Sequence, residues 1–317
     1  MRHNPRSQSH HPSSRRSFLH QGALWLAGAG VMSGGWNLPL AASPLVDDDL
    51  KDLGDPLCRL GLVTDMHYAD KDTAGSRYYR DSLRKLSLAA EAWQEEKLDA
   101  VVELGDFIDA ADSVETELGY LRRIDREFKK LSEKTHYVLG NHCVHTLNKS
   151  EFLETVGQTA SFFSFDVGQA HFVVLDACFR SDGTSYGRKN FDWTDPNLSE
   201  EQLDFLEADL EKTQFPTVVF VHQRLDVANA YGIKNAAAAR QRLEKSGKVV
   251  AVFQGHSHEN EHRDLNGIHY CTLAAMVEGP VAQKNAFSTL TVYEKGSLKV
   301  TGFARQASHA WKNTPLD

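Results

Sequence analysis

The sequence predicts an α/β domain, and three observations carry that expectation. Strand and helix patterns alternate from residue 56 onward, apolar runs at 162–167 and 170–175 flank a Gly-Gln turn, and no repeat or second composition shift divides the chain. Arg59-Leu60-Gly61-Leu62-Val63-Thr64 reads as a buried strand, after which Leu83, Leu86, Ala90 and Trp93 fall at helical spacing on one face. Residues 99–104 form the second strand, a helix carrying Leu121, Ile124 and Phe128 follows, and Tyr137-Val138-Leu139 makes the third strand. This order argues for strands joined by helical crossovers. The second half is richer in strands. Its hairpin turns at Gly168-Gln169, and Ser199 with Gln202 spells a capping box ahead of a helix with Leu203, Leu206 and Leu210 on one side. Strands recur at 217–221, 249–253, near Tyr270, at 287–293 and at 298–303. One domain over 56–305 results, between a polar linker at 43–55 and a tail at 306–317.

A hydrophobic content of 41% and an aromatic content of 9% fit a globular core and argue against wholesale disorder. Residues 1–42 hold four arginines, no lysine and no acid, so the remainder is more acidic than the whole: the formal charge goes from −8 to −12 without them. A chain that acidic has no reason to adhere to nucleic acid or anionic lipid through charge alone. If it handles phosphates, the positive charge must be local, and metal cations would supply it.

Ser14-Arg15-Arg16-Ser17-Phe18-Leu19 resembles the twin-arginine export signal, followed by the weakly apolar stretch 22–32 and small residues Ala41, Ala42 and Ser43 at a cleavage point. The resemblance implies passage through the twin-arginine translocase to a periplasmic or extracellular destination; the bland alternative is a chance Arg-Arg pair. The stretch is shorter than the about 20 residues that span a bilayer, and no cysteine follows it, so no stable membrane anchor is expected. Cys58, Cys143, Cys178 and Cys271 allow three disulfide pairings, although Cys178 and Cys271 lie by apolar runs and read as buried thiols.

Five short blocks stand at the carboxyl ends of predicted strands: Asp65-Met66-His67, Gly105-Asp106, Gly140-Asn141-His142, His222, and Gly255-His256-Ser257-His258. Alone, each is a common turn or a structural histidine. Together they place five of the eleven histidines beyond residue 42 where α/β sheets gather ligands. Carboxylates and imidazoles suit divalent first-row metals. One carboxylate can bridge two ions about 3.5–4 Å apart, the separation that clamps an in-line phosphoryl displacement. Asp106 is the expected bridge, with Asp65, His67 and His258 completing one ion and Asn141, His222 and His256 the other. A shared hydroxide would attack phosphorus, and His142 would stabilise the transition state or protonate the leaving oxygen.

These blocks resemble the calcineurin-like metallophosphoesterases over most of the chain beyond the export signal. The resemblance implies a four-layer α-β-β-α sandwich of two mixed sheets with two metals at the loops. Asp65-Met66-His67-Tyr68-Ala69-Asp70, Ser76-Arg77-Tyr78-Tyr79-Arg80-Asp81-Ser82-Leu83 and Phe163-Ser164-Phe165-Asp166 are further similar to the manganese-dependent ADP-ribose/CDP-alcohol diphosphatase branch. That implies manganese first among Mn, Fe, Zn, Co and Ni, and a small-molecule phosphate ester as partner. Arg77 and Arg80 are then candidates to grip a second phosphate and Tyr78 or Tyr79 to stack on a base or ribose, the alternative being that all four cap and solvate a helix. Two departures stand out. His67 occupies a position where eukaryotic members of the branch typically carry glutamine, and Cys143 stands where the wider family often has an acid beside the catalytic histidine; Asp109 is a candidate replacement partner. With no tyrosine at or near Phe107, the tyrosinate-iron centre of purple acid phosphatases is not expected. The leading function is a phosphodiesterase or diphosphatase; a phosphate-scavenging phosphomonoesterase and a non-catalytic scaffold are the alternatives.

Overall fold

The computed structural model describes residues 53–281 and 284–313, so the export-signal region and most of the linker lie outside the described residues. Among the described residues, twelve strands form two six-stranded sheets. The first runs β12-β11-β10-β1-β2-β3, built from His309–Trp311, Leu298–Ala304, Ala286–Tyr293, Pro56–Val63, Ala100–Glu103 and Thr135–Tyr137. The second runs β4-β5-β6-β7-β9-β8, built from Phe163–Val167, Ala170–Val174, Thr217–Phe220, Val249–Gln254, Ile268–Thr272 and Glu261–Leu265.

Alternation along the strands produces the layers. Leu60 and Leu62 of β1, Val102 of β2, Phe172 and Val174 of β5, Phe220 of β6 and Phe253 of β7 share one buried cluster between the two sheets. Their neighbours face outward. Val63, Val101 and Tyr137 pack under the helices Ser82–Trp93, Val114–Phe128 and Lys149–Val156. Val173, Val219 and Val252 pack under Glu200–Lys212 and Ala236–Ser246. The result is the expected α-β-β-α sandwich. A strand buried on both faces reads as a continuous apolar run, which is why these strands are conspicuous in the sequence.

The structure also departs from the sequence reading in several places. Sheet one continues past residue 305, because β12 pairs with β11 and its Trp311 stacks on His262 and His269 of sheet two; residues 309–311 of the expected tail therefore belong to the sheet. β8 escapes the sequence because most of its residues are polar and exposed. On the first helix the buried face turns toward Ala89 rather than Ala90 and includes Lys85, whose Nζ donates to the carbonyls of Met276, Glu278 and Gly279 at 2.6, 3.1 and 2.7 Å. The Ser199–Gln202 motif is half a capping box: Ser199 accepts the Gln202 amide, but Gln202 Oε1 accepts the Asp176 amide instead of closing the box. The complete reciprocal box is Asn148 with Glu151. Among the described residues no helix is long and apolar enough to cross a membrane.

Candidate metal centre

β1, β2 and β3 are mutually parallel, as are β6 and β7, so the loops that follow them leave in common directions. Backbone bonds stitch these loops together: the Asp65 amide donates to the Gly105 carbonyl at 2.9 Å, His67 to Asp106 at 2.8 Å, and Gly255 to His222 at 3.0 Å. All five sequence blocks converge here. Asp65, His67 and His258 bring ligand atoms within 4.8 Å of one another, and so do Asp106, His222 and His256. Asp106 Oδ2 lies 3.2 Å from His222 Nε2 and 3.6 Å from His67 Nε2, so one carboxylate faces both sets. This is the placement the sequence expects of a bridge.

The local backbone is shaped for this convergence. Asp65, His67, Asp106, His256 and His258 all adopt positive φ, between 42° and 70°, a region that non-glycine residues enter only where the surroundings enforce it. The glycines of the blocks are equally constrained. Gly105 has φ +102°, and a Cβ there would lie 2.4 Å from His222 Nδ1; a Cβ on Gly140 would lie 2.2 Å from Asp106 Oδ1. The Gly-Asp and Gly-Asn-His spellings therefore report close approach of the backbone to the His222 and Asp106 side chains.

Whether these residues fit metal ions is answered by their unpaired atoms. Asp65 Oδ1, Asn141 Oδ1, His222 Nε2 and His256 Nε2 are buried without a hydrogen-bond partner. Buried polar groups are normally satisfied, and leaving one unpaired costs about 1–3 kcal/mol, so four such atoms among the residues of these blocks call for cations. Opposite ring nitrogens are anchored from behind. His222 Nδ1 meets the Leu104 carbonyl at 2.9 Å, His67 Nδ1 meets Asp109 Oδ2 at 3.1 Å, and His258 Nδ1 meets Glu278 Oε1 at 2.7 Å. Such bonds fix the tautomer and aim the Nε2 lone pair inward. Electrostatics agree. Burial works against charge throughout, yet Asp106 and Asp65 raise His222 to about 9, Asp65 and Glu278 raise His258 to about 9, and His222 and His258 hold the Asp65 carboxyl well below the usual range.

His142, the candidate acid, stands at the rim. Its amide donates to Asp106 Oδ1 at 2.7 Å, and its Nδ1 edge is buried, 3.6 Å from Asp109 Oδ2. Cys143 is turned the other way, fully buried in the core beneath the first-sheet helices, and burial with Glu103 nearby pushes its thiol well above the usual range. An acid at position 143 would be buried rather than set beside the imidazole. Asp109 takes that place, also accepting from Lys71 Nζ at 2.6 Å, with Arg77 Nη1 at 3.4 Å.

Among the substrate-binding candidates, Arg77 is brought to the centre. Arg80 is turned to the surface, with Nε 2.5 Å from Asp70 Oδ1 and Nη1 2.7 Å from Asp72 Oδ1, so a phosphate grip by Arg80 does not follow from its position. Tyr78 is half-buried, its amide donating to the Val277 carbonyl, and Tyr79 is buried beneath the Lys71 ammonium, which leaves Tyr79 no open stacking face. Sequence reasoning missed Glu278 and Lys71. Glu278 gives a slight signal, an acid ending the apolar run Ala274–Val277, and the rest of its role depends on the loop that Lys85 pins. Glu278→Gln is expected to weaken metal binding about 10- to 100-fold; metal titration by calorimetry on the stripped protein checks this, and unchanged affinity would show that His258 needs no such orientation.

Two sets of carboxylates and imidazoles sharing one carboxylate, at the strand ends of a double-sheet sandwich, define a dinuclear metal-dependent phosphoester hydrolase. The chain belongs to the calcineurin-like phosphoesterase family, whose model matches residues 58–260. It is similar to the manganese-dependent ADP-ribose/CDP-alcohol diphosphatases of Xenopus laevis (26% identical, covering 77% of this chain and 87% of that protein) and Arabidopsis thaliana (24%, covering 81% and 98%). Among solved structures, a dimetal phosphatase from Danio rerio superposes with a TM-score of 0.72 at 22% identity, covering 82% of this chain and all of that one, which shows the shared fold.

Proposed function

We propose that the protein hydrolyses phosphodiester or diphosphate bonds of nucleotide-like or alcohol phosphodiester substrates, with Asp65, His67, Asp106, Asn141, His222, His256 and His258 holding two manganese ions. The observation that carries this reading is the Asp106 carboxylate facing both half-sites, with Arg77 beside the first, paired with Asp109 at 3.4 Å yet about a third exposed and so within reach of a second phosphate. The names of the relatives point the same way. When bound, the ion pair would supply Lewis-acid polarisation and a nucleophile at neutral pH. Arg77 would orient the non-reacting phosphate. Asp109, close to Nδ1, would hold a proton on that edge of His142 and leave the exposed part of the ring to the leaving oxygen. Residues 1–42 support an exported location.

The test is hydrolysis by manganese-loaded protein of p-nitrophenyl phosphate, bis-p-nitrophenyl phosphate, cyclic AMP, CDP-choline and ADP-ribose. Diesters or diphosphates should be turned over faster than p-nitrophenyl phosphate. A preference for the monoester would replace this reading with phosphate scavenging, and activity on none would remove both.

A further inference from the structure

We propose that Trp193 and Tyr231 form a stacking platform for a planar base of the substrate, so that these two side chains set the affinity for a base-bearing phosphate over a base-free one. The inference rests on the phosphoester-hydrolase reading above and narrows it. Among the described residues these two are the exposed large hydrophobic side chains, at 43% and 39%. They come from different loops, Trp193 between β5 and the helix Glu200–Lys212, and Tyr231 between β6 and the helix Ala236–Ser246. Their ring centroids nevertheless lie 5.6 Å apart, tilted by 49°. Both rings also reach the metal centre, 6.1 and 5.7 Å from the His256 imidazole.

Two aromatic rings left open to water beside a catalytic centre mark a place where a ligand covers them. The loops that present them are held in place. The Asp192 carbonyl accepts the Tyr186 hydroxyl at 2.7 Å and Asp192 Oδ1 accepts the Thr194 amide at 2.9 Å. The Tyr231 amide donates to Asn229 Oδ1 at 2.9 Å, and its carbonyl accepts the Arg224 amide at 3.1 Å. Because the platform is largely preorganised, little entropy is lost when a planar group settles on it. At this tilt a base would lie on one ring while the other frames its edge.

The platform's position selects the class of substrate. It adjoins His256 of the second half-site, whereas Arg77 adjoins Asp109 and, through it, His67 of the first. A nucleoside diphosphate ester laid across Asp106 would set its base on Trp193 and Tyr231 and its far phosphate toward Arg77. A simple phosphomonoester has no group to offer the rings.

Calorimetric titration of the manganese-loaded protein with CMP and, separately, with inorganic phosphate tests the proposal without depending on which ester is cleaved. Trp193→Ala and Tyr231→Ala are each expected to lower the ratio of CMP to phosphate affinity about 5- to 100-fold, the range that loss of one base–aromatic stack gives, and Trp193→Phe to restore most of it. An unchanged ratio in both variants, or a wild-type protein that binds phosphate as tightly as CMP, overturns the platform. Failure of the hydrolase reading would show separately, as wild-type protein inactive on every phosphoester while CMP binding is still measured.

Discussion

Asp106→Ala is expected to lower kcat/KM by about a thousand-fold or more, because an ion pair stabilises transition-state charge by several kcal/mol and each 1.36 kcal/mol is about tenfold in rate. The same substitution should take the manganese content, read by elemental analysis, from two per chain to one or fewer. The reasoning is local. Asp106 Oδ2 faces His222 and His67 at 3.2 and 3.6 Å, so it belongs to both half-sites, while Oδ1 accepts the His142 amide at 2.7 Å. Removing the carboxylate unlinks the two half-sites and releases the backbone that carries His142. It leaves the inter-sheet core intact, so the variant should fold and its circular dichroism should match the wild type. Activity within about tenfold of wild type would mean that the centre works without its shared ligand, and the two-metal account would fail.

His142→Ala should have the second largest effect, and the effect should depend on what departs. General acid catalysis contributes about 10²- to 10⁴-fold when the leaving oxygen is a strong base. The variant should lose activity in that range on an alkyl phosphodiester and far less on bis-p-nitrophenyl phosphate, whose departing phenolate needs little help. Burial pushes His142 down to about 4, against the pull of Asp106 and Asp109, which favours the neutral ring. An arriving phosphate anion would favour its protonated form. Equal losses on both substrates would instead assign His142 to positioning, through its amide bond to Asp106. The manganese content of the variant separates this outcome from simple loss of metal.

The proposed ligands are conspicuous in the sequence because each follows an apolar strand at a parallel strand's carboxyl end, a placement that strand order alone dictates. Asp106, His222 and the His256–His258 pair needed no knowledge of side-chain direction. Their supports did need it. Glu278 reaches His258 from a loop whose position depends on the buried ammonium of Lys85, and nothing in residue spacing announces a lysine facing inward. The platform residues were hidden for a different reason: Trp193 and Tyr231 are far apart in sequence and meet only because two crossover loops fold over the same strand ends. The tyrosines beside Arg77 looked better placed by proximity along the chain. The fold showed the same asymmetry, with β6 and β7 evident as apolar runs while β8 and β12 exist through pairing with neighbours.

All four cysteines are buried as free thiols. The architecture of the described residues therefore owes nothing to an oxidant, and a reducing compartment is a sufficient place to complete it. If the chain is exported as proposed, nothing in its cysteines prevents it from completing the sandwich and taking up cations before it crosses. A protein stapled by disulfides would have to make the journey first and fold afterwards.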